Sequence, residues 1–359
     1  MNIGGSCLTI ATPYAAGLGG NKFYLKGTLT VTATLSFTYT PGSGISATIF
    51  AGYTTTHGDG GNATWTTATN STNLITLAGQ SGYSFYNLTL SNTASTRGIG
   101  VTSSSGPSRD IYFQSVVFDG FSNAIMTDFN VQWNATVSLW GCTVKNSTSD
   151  GVVTSGPLTV AYSYLLSNTG AGVRGRNGGD VSPLIAVIGS VFYNNGTSGL
   201  WIDPDLAQGS AHATTVSNSD FVSNTGAGIK LGNAGNSVYG AIATNNIFYG
   251  NSTYGIDYTG NAFIAENRLT NNAFGANTTA AIHNFTGDIG TVSLSADPFT
   301  AKASNDFSLN STSGGGTSCK AAGWAGATGL FGTGYIDIGA LQSQASAPGG
   351  GQTAYPIVQ

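Results

Sequence analysis
Two carboxylates stand two residues apart in GLWIDPDLAQG: Asp203 and Asp205, with Pro204 fixing the backbone between them. Such a pair suits acid and base work on a glycosidic bond. Trp201 is close by and offers an aromatic face on which a sugar ring can stack, as does Trp140 in SLWGCTVKN. The competing reading of Asp203 and Asp205 is a solvated Asp-Pro corner. Arg174, Arg176 and Asp180 in GVRGRNGGDVS, with Lys230 and Asp257, form a second candidate set. A base with a cation or Ca²⁺ is what proton removal beside a carboxylate requires. Lys230 and Asp257 fit an ordinary cross-strand ion pair better.

His57, His212 and His283 are far apart in the chain. His57 and Asp59 share the Gly-rich THGDGG, where a turn role is favoured. Cys7, Cys142 and Cys319 have no metal-ligand spacing, and no Gly-rich phosphate loop occurs. No metal site is therefore expected, and Ca²⁺ enters only with lyase chemistry. Cys142 reads as a small buried hydrophobe.

The elements that must carry these residues are written as a repeat. LLSNTGAGVRG around Asn168 returns as FVSNTGAGIKL around Asn224, with variants around Asn195 and Asn251. In each copy an apolar residue lies three places before the Asn: Leu165, Phe192, Phe221 and Phe248. Another lies five places after it: Val173, Leu200, Ile229 and Ile256, each preceded by a glycine. Weaker copies are aligned on Asn146 and Asn272, giving spacings of 22, 27, 29, 27 and 21 residues.

This period is too short for βαβ units, and no helical apolar stripe accompanies it. Repeats of this length build solenoids. The fold class that follows is all-β, a parallel β-helix whose coils stack at about 4.8 Å. Phe192, Phe221 and Phe248 then form one internal column, and Leu200, Ile229 and Ile256 another. Asn168, Asn195, Asn224 and Asn251 form a ladder, placed inside, with an exposed turn ladder as the alternative. The boundaries read as an N-terminal cap with first strands over 1–65, the β-helix over 66–342 and a tail over 343–359.

Composition limits the partners. Of 359 residues only 7% are charged, the net charge is −4, and 11% are aromatic. Eleven Lys and Arg are too few and too scattered for a nucleic-acid groove. No apolar run is long enough for a membrane-spanning helix, and the first twenty residues make no convincing signal peptide. Asn-X-Ser/Thr sequons run from Asn62 to Asn310, as expected by chance in so Asn-, Ser- and Thr-rich a chain.

Near the C-terminus, DPF at Asp297–Phe299, NDFSLN at Asn305–Asn310 and YIDIGALQ at Tyr335–Gln342 resemble the closing segment of secreted right-handed parallel β-helix repeat proteins. That superfamily is pectate-lyase-like. The resemblance departs at STSGGGTSCKAAG, which replaces the family's Ser-Pro-Ala-Ile-Asp turn. GYTTTHGDGG at Gly52–Gly61 resembles the first coils of uncharacterised members from environmental bacteria and phages. The resemblance implies a right-handed coil but no reaction, since relatives include polysaccharide lyases and hydrolases, phage tailspikes and surface proteins. The lyase Arg-x-Pro-x-x-Arg pattern and the polygalacturonase motif set are absent.

Scarce charge and uncharged polar faces with aromatics favour an extracellular or virion-surface structural protein that associates with copies of itself. The alternatives are a polysaccharide lyase or glycoside hydrolase using Asp203 and Asp205, and a non-catalytic carbohydrate-binding module using Trp201 and Trp140.

Overall fold
The computed structural model describes residues 22–38, 48–78, 82–103, 110–127, 136–176, 184–203, 214–233, 240–259, 267–285, 288–323 and 336–342. Its strands pair in parallel with strands one coil away, giving the expected parallel β-solenoid. Each coil contributes a strand to each of three sheets. The first sheet includes Val137–Trp140, Leu158–Ala161, Ile185–Ile188, Thr214–Ser217 and Ala241–Thr244. The second includes Tyr164–Leu166, Val191–Tyr193, Asp220–Val222 and Ile247–Tyr249. The third is a ten-stranded sheet that includes Val173–Arg176, Leu200–Asp203, Ile229–Leu231 and Tyr254–Tyr258. Strands in coil register begin at Lys22–Lys26, inside the stretch expected to hold the cap and first strands.

The internal columns follow from period-two alternation within each short strand. Phe192 pairs with Phe221, and Phe221 with Phe248. Their rings stack with centroids 4.7 and 5.1 Å apart, and Phe274 continues the stack at 5.0 Å. Leu200, Ile229 and Ile256 form the second column. All six side chains are buried in one continuous core.

The Asn ladder is internal. Each side-chain amide donates to the carboxamide oxygen of the Asn one coil on: Asn168 to Asn195 at 2.9 Å, Asn195 to Asn224 at 3.0 Å, Asn224 to Asn251 at 3.0 Å. The other amide hydrogen goes to a strand carbonyl one coil back, as from Asn224 to Phe192 at 3.1 Å. The carboxamide oxygen also takes a backbone N–H, so these buried groups are satisfied.

The flanking copies are out of register with the expectation. The rung before Asn168 is Ser147, not Asn146, and the rung after Asn251 is Asn277, not Asn272. Asn146 instead occupies a left-handed corner position (φ 57°), as do Ser167, Asn194 and Ser223. Asn272 belongs to a second ladder, between the first and second sheets, built from Ser163, Ser190, Ser219 and Asn246. A left-handed residue precedes the rung at both corners, and Asn suits both positions, so Asn alone does not fix the register. Cys142 heads this second ladder, buried as expected, with its thiol pushed up to about 12 by burial.

The repeated glycine is needed for space. A Cβ on Gly228 would lie 2.7 Å from the Gly255 carbonyl oxygen and 2.7 Å from the Phe248 ring. Gly228→Ala should therefore cost about 1–3 kcal/mol by overpacking. A urea-unfolding midpoint unchanged from the parent would contradict this.

Coil strands end at Val292–Ser293, short of the expected boundary. Phe299–Ala301 and Asp306–Leu309 form an antiparallel hairpin, not further coils. The hairpin, the single helical turn Gly316–Cys319 and the strandless segment 336–342 lie along the outside of the second sheet. There Leu294, Phe299, Phe307, Cys319 and Ile338 pack on Val191, Val222 and Ile247. Residues 336–342, within the stretch that resembles the family's closing segment, are thus an irregular covering segment. No described helix is long and apolar enough to cross a membrane.

Candidate functional site
Register brings Arg174, Trp201, Lys230, Asp257 and His283 into one row across successive strands of the third sheet. Their strand neighbours Val173, Leu200, Ile229 and Ile256 point into the core, so alternation sends this row outward. In a chain with so little charge, this is a concentration of it.

Asp203 also lies on this outer side, but it is covered, contrary to the expectation of an open carboxylate near a strand end. It is only 2% exposed. Arg174 Nε donates to Oδ2 at 3.0 Å and Nη2 binds the same oxygen, while Asn233 Nδ2 donates to Oδ1 at 2.7 Å. Arg174 Nη1 also lies 3.5 Å from Asp150 Oδ2. Both oxygens of Asp203 are thus engaged by its own scaffold. Asp205, Asp180 and His212 lie outside the described residues.

Trp201 sits between two cations. The Arg174 guanidinium carbon is 4.2 Å from the ring centroid and Lys230 Nζ is 4.6 Å from it. One cation comes from the preceding coil and the other from the following coil, so the ring is flanked from both sides. Its Nε1–H donates to the Gly232 carbonyl at 3.3 Å. Lys230 and Asp257 are register neighbours, yet Asp257 takes other partners: Thr259 Oγ1 and His283 Nδ1, each at 2.7 Å. His283 in turn stacks on Tyr254 with centroids 4.5 Å apart. The row is a chain of mutually satisfied contacts.

The other candidates are dispersed. Trp140 is on the first sheet, 39% exposed, with the Tyr162 ring 5.9 Å away, so the two tryptophans share no sheet. Asp59 closes its own turn. The backbone N–H groups of Thr55, Thr56 and Gly61 donate to its carboxylate and hold it far below the usual carboxylate range. His57 stacks on Tyr24 at 4.3 Å. Among the described residues no three His, Cys, Asp or Glu side chains converge as a metal site would require.

Sequence reasoning missed a different surface. The exposed large hydrophobics among the described residues are Trp140, Tyr162, Leu184, Ile242 and Ile289. All lie on or beside the first sheet: Ile289 bridges Thr270, Tyr162 follows Leu158–Ala161, and Leu184 precedes Ile185–Ile188. From Tyr83 to Thr244 no strand segment of this sheet carries a charged residue. The available signal was the apolar residue at outward positions, as in AIAT and IAVI, which by itself reads as a strand buried on both faces.

The sequence matches no protein-family model and no curated protein. Among solved structures the chain is similar to pectate lyase Pel9A, with a TM-score of 0.62 and 15% identity over 91% of this chain and 88% of that one. It is also similar to the A-module of the Azotobacter vinelandii mannuronan C-5 epimerase AlgE6, with a TM-score of 0.41 and 17% identity over 78% and 92%. A third likeness is to the Geobacillus virus E2 ORF18 protein, with a TM-score of 0.38 and 12% identity over 73% and 57%. At these identities the likeness is one of fold alone, the parallel β-solenoid.

Proposed function
We propose that the protein is a structural β-solenoid of a cell or virion surface, and that its copies associate through the outer face of the first sheet. The observation that carries this reading is the location of the exposed large hydrophobics, all on or beside one sheet whose strands from Tyr83 to Thr244 carry no charge, with Arg268 beside Ile242 as the first charge beyond them. Exposed large apolar side chains gathered on one sheet, among uncharged Thr, Ser and Ala, single it out as an interaction face. A face without charge meets a two-fold copy of itself with no like-charge repulsion, and lacks the charges that would steer a different partner. The third sheet fits this role less well, because its row of ions and rings is occupied by its own contacts. The same occupancy counts against sugar stacking on Trp201 and against Asp203 as a carboxylate open to a substrate.

The size of the face sets the strength. Strands from Tyr83 to Thr244, at about 4.8 Å spacing and about 3.3 Å per residue, span roughly 35 by 13 Å. With the flanking corners, a two-fold pair would bury on the order of 1,000 Å², the low end of specific interfaces. Association should therefore be reversible and of about micromolar affinity. Sedimentation velocity from about 1 to 100 µM should show a monomer converting to larger species. The double variant Trp140→Asp with Ile242→Asp should remain monomeric while keeping its β circular-dichroism spectrum. A wild-type monomer throughout the range would contradict the proposal, as would undiminished association of the variant.

A further inference from the structure
The second sheet carries one carboxylate where its neighbours are apolar. Asp220 pairs in register with Val191 on one side and Ile247 on the other. Its strand neighbour Phe221 points inward, so Asp220 and Val222 face outward, beneath residues 294–323 and 336–342. Asp220 is 1% exposed. One hydrogen bond to it comes from the covering segment, the Ala340 N–H to Oδ1 at 3.1 Å. Gly339, at φ +111°, brings the backbone so close that a Cβ there would lie 2.7 Å from that oxygen. The DIGA stretch is thus shaped around this carboxyl.

No cation offsets it. Among the described residues no ion pair includes Asp220. The titratable groups facing it are Tyr164 of the second sheet and Cys319 of the covering segment, with Asp337 beside Cys319 and Asp306 beside Tyr164. All are neutral or acidic. The Cys319 thiol is itself pushed up to about 12, chiefly by burial. An ionised carboxylate in this apolar seam would be both desolvated and repelled.

We propose that residues 294–323 and 336–342 form a clasp on the second sheet, held shut by the uncharged form of Asp220 and loosened when that carboxyl ionises. Burial agrees, raising the Asp220 carboxyl well above its ordinary range. The sign follows by linkage. A carboxyl with a higher proton affinity in the closed state stabilises closure fully below the ordinary value of about pH 4, and that stabilisation is lost as pH rises through the closed-state value. Acid tightens the clasp and alkali releases it, exposing Val191, Val222 and Ile247.

The test is hydrogen–deuterium exchange of peptides covering 299–309 and 336–342 in the full chain, compared with Asp220→Asn at each pH. Taking the ratio cancels the intrinsic pH dependence of exchange. Near pH 4 the two proteins should exchange alike. Near pH 9 the wild-type clasp should open at least about tenfold more often than the variant. Asp220→Val, which matches the neighbouring coils, should behave as the Asn variant does and guards against a folding defect peculiar to it. A ratio that stays flat from acid to alkali for both variants overturns the proposal, as does a wild-type clasp that loosens on acidification.

Discussion
Removing the Asn224 side chain should destabilise the middle coils by about 3–5 kcal/mol. Asn224→Ala deletes the acceptor of the Asn195 backbone N–H and of one Asn195 side-chain amide hydrogen, and the donor to the Phe192 carbonyl. These groups are buried, so water does not replace the lost partner without disrupting packing. Each unmet group costs about 1–3 kcal/mol. The effect should be local, because a solenoid coil touches only its neighbours. Hydrogen exchange should rise in Val191–Tyr193 and Ile247–Tyr249 but not in the distant Ala63–Thr67 strand. A loss below about 1 kcal/mol would mean the ladder is decoration on a fold held by apolar contacts.

Phe221→Ala should cost a similar 3–5 kcal/mol or so, for a different reason. Phe221 lies between two stacked rings at 4.7 and 5.1 Å, in a core where its exposure is 0%. Truncation opens a void that neighbouring coils fill poorly, since their backbones are tied by ladder hydrogen bonds. Phe221→Leu should recover most of the stability. Phe221→Ala combined with Phe248→Ala should cost less than the two losses added, because the second truncation enlarges a void already made. Urea unfolding of the three proteins checks this, and strict additivity would contradict a shared column.

The architecture was legible because it is repeated: a Phe, an Asn and a Gly–apolar pair at constant offsets leave few other folds. The outer row was legible to the level of register, which correctly aligned Arg174, Trp201, Lys230 and Asp257. Partner choice within the row was not. Asp203 is reached by Arg174 from the adjacent strand and by Asn233 from beyond the next one, and neither reach is encoded in spacing. Lys230 turns to Trp201 and Asp257 to His283, a choice among equidistant neighbours made by side-chain packing. The ladder ends slipped because Asn is at home both in the left-handed corner and in the rung beside it. The alternation in Asp306–Leu309 announces a strand with one buried face but not that the face lies against the outside of the solenoid.

The central claim is that copies meet through the first sheet, and oxidative cross-linking tests it most directly. In a Cys7→Ser background, with Cys142 and Cys319 buried, a cysteine is placed at exposed Thr215 in the middle of the first sheet, or at Lys230 on the third. The account predicts that Thr215→Cys yields a disulfide-linked dimer on mild oxidation and that Lys230→Cys does not. A dimer from Lys230→Cys with none from Thr215→Cys would contradict it.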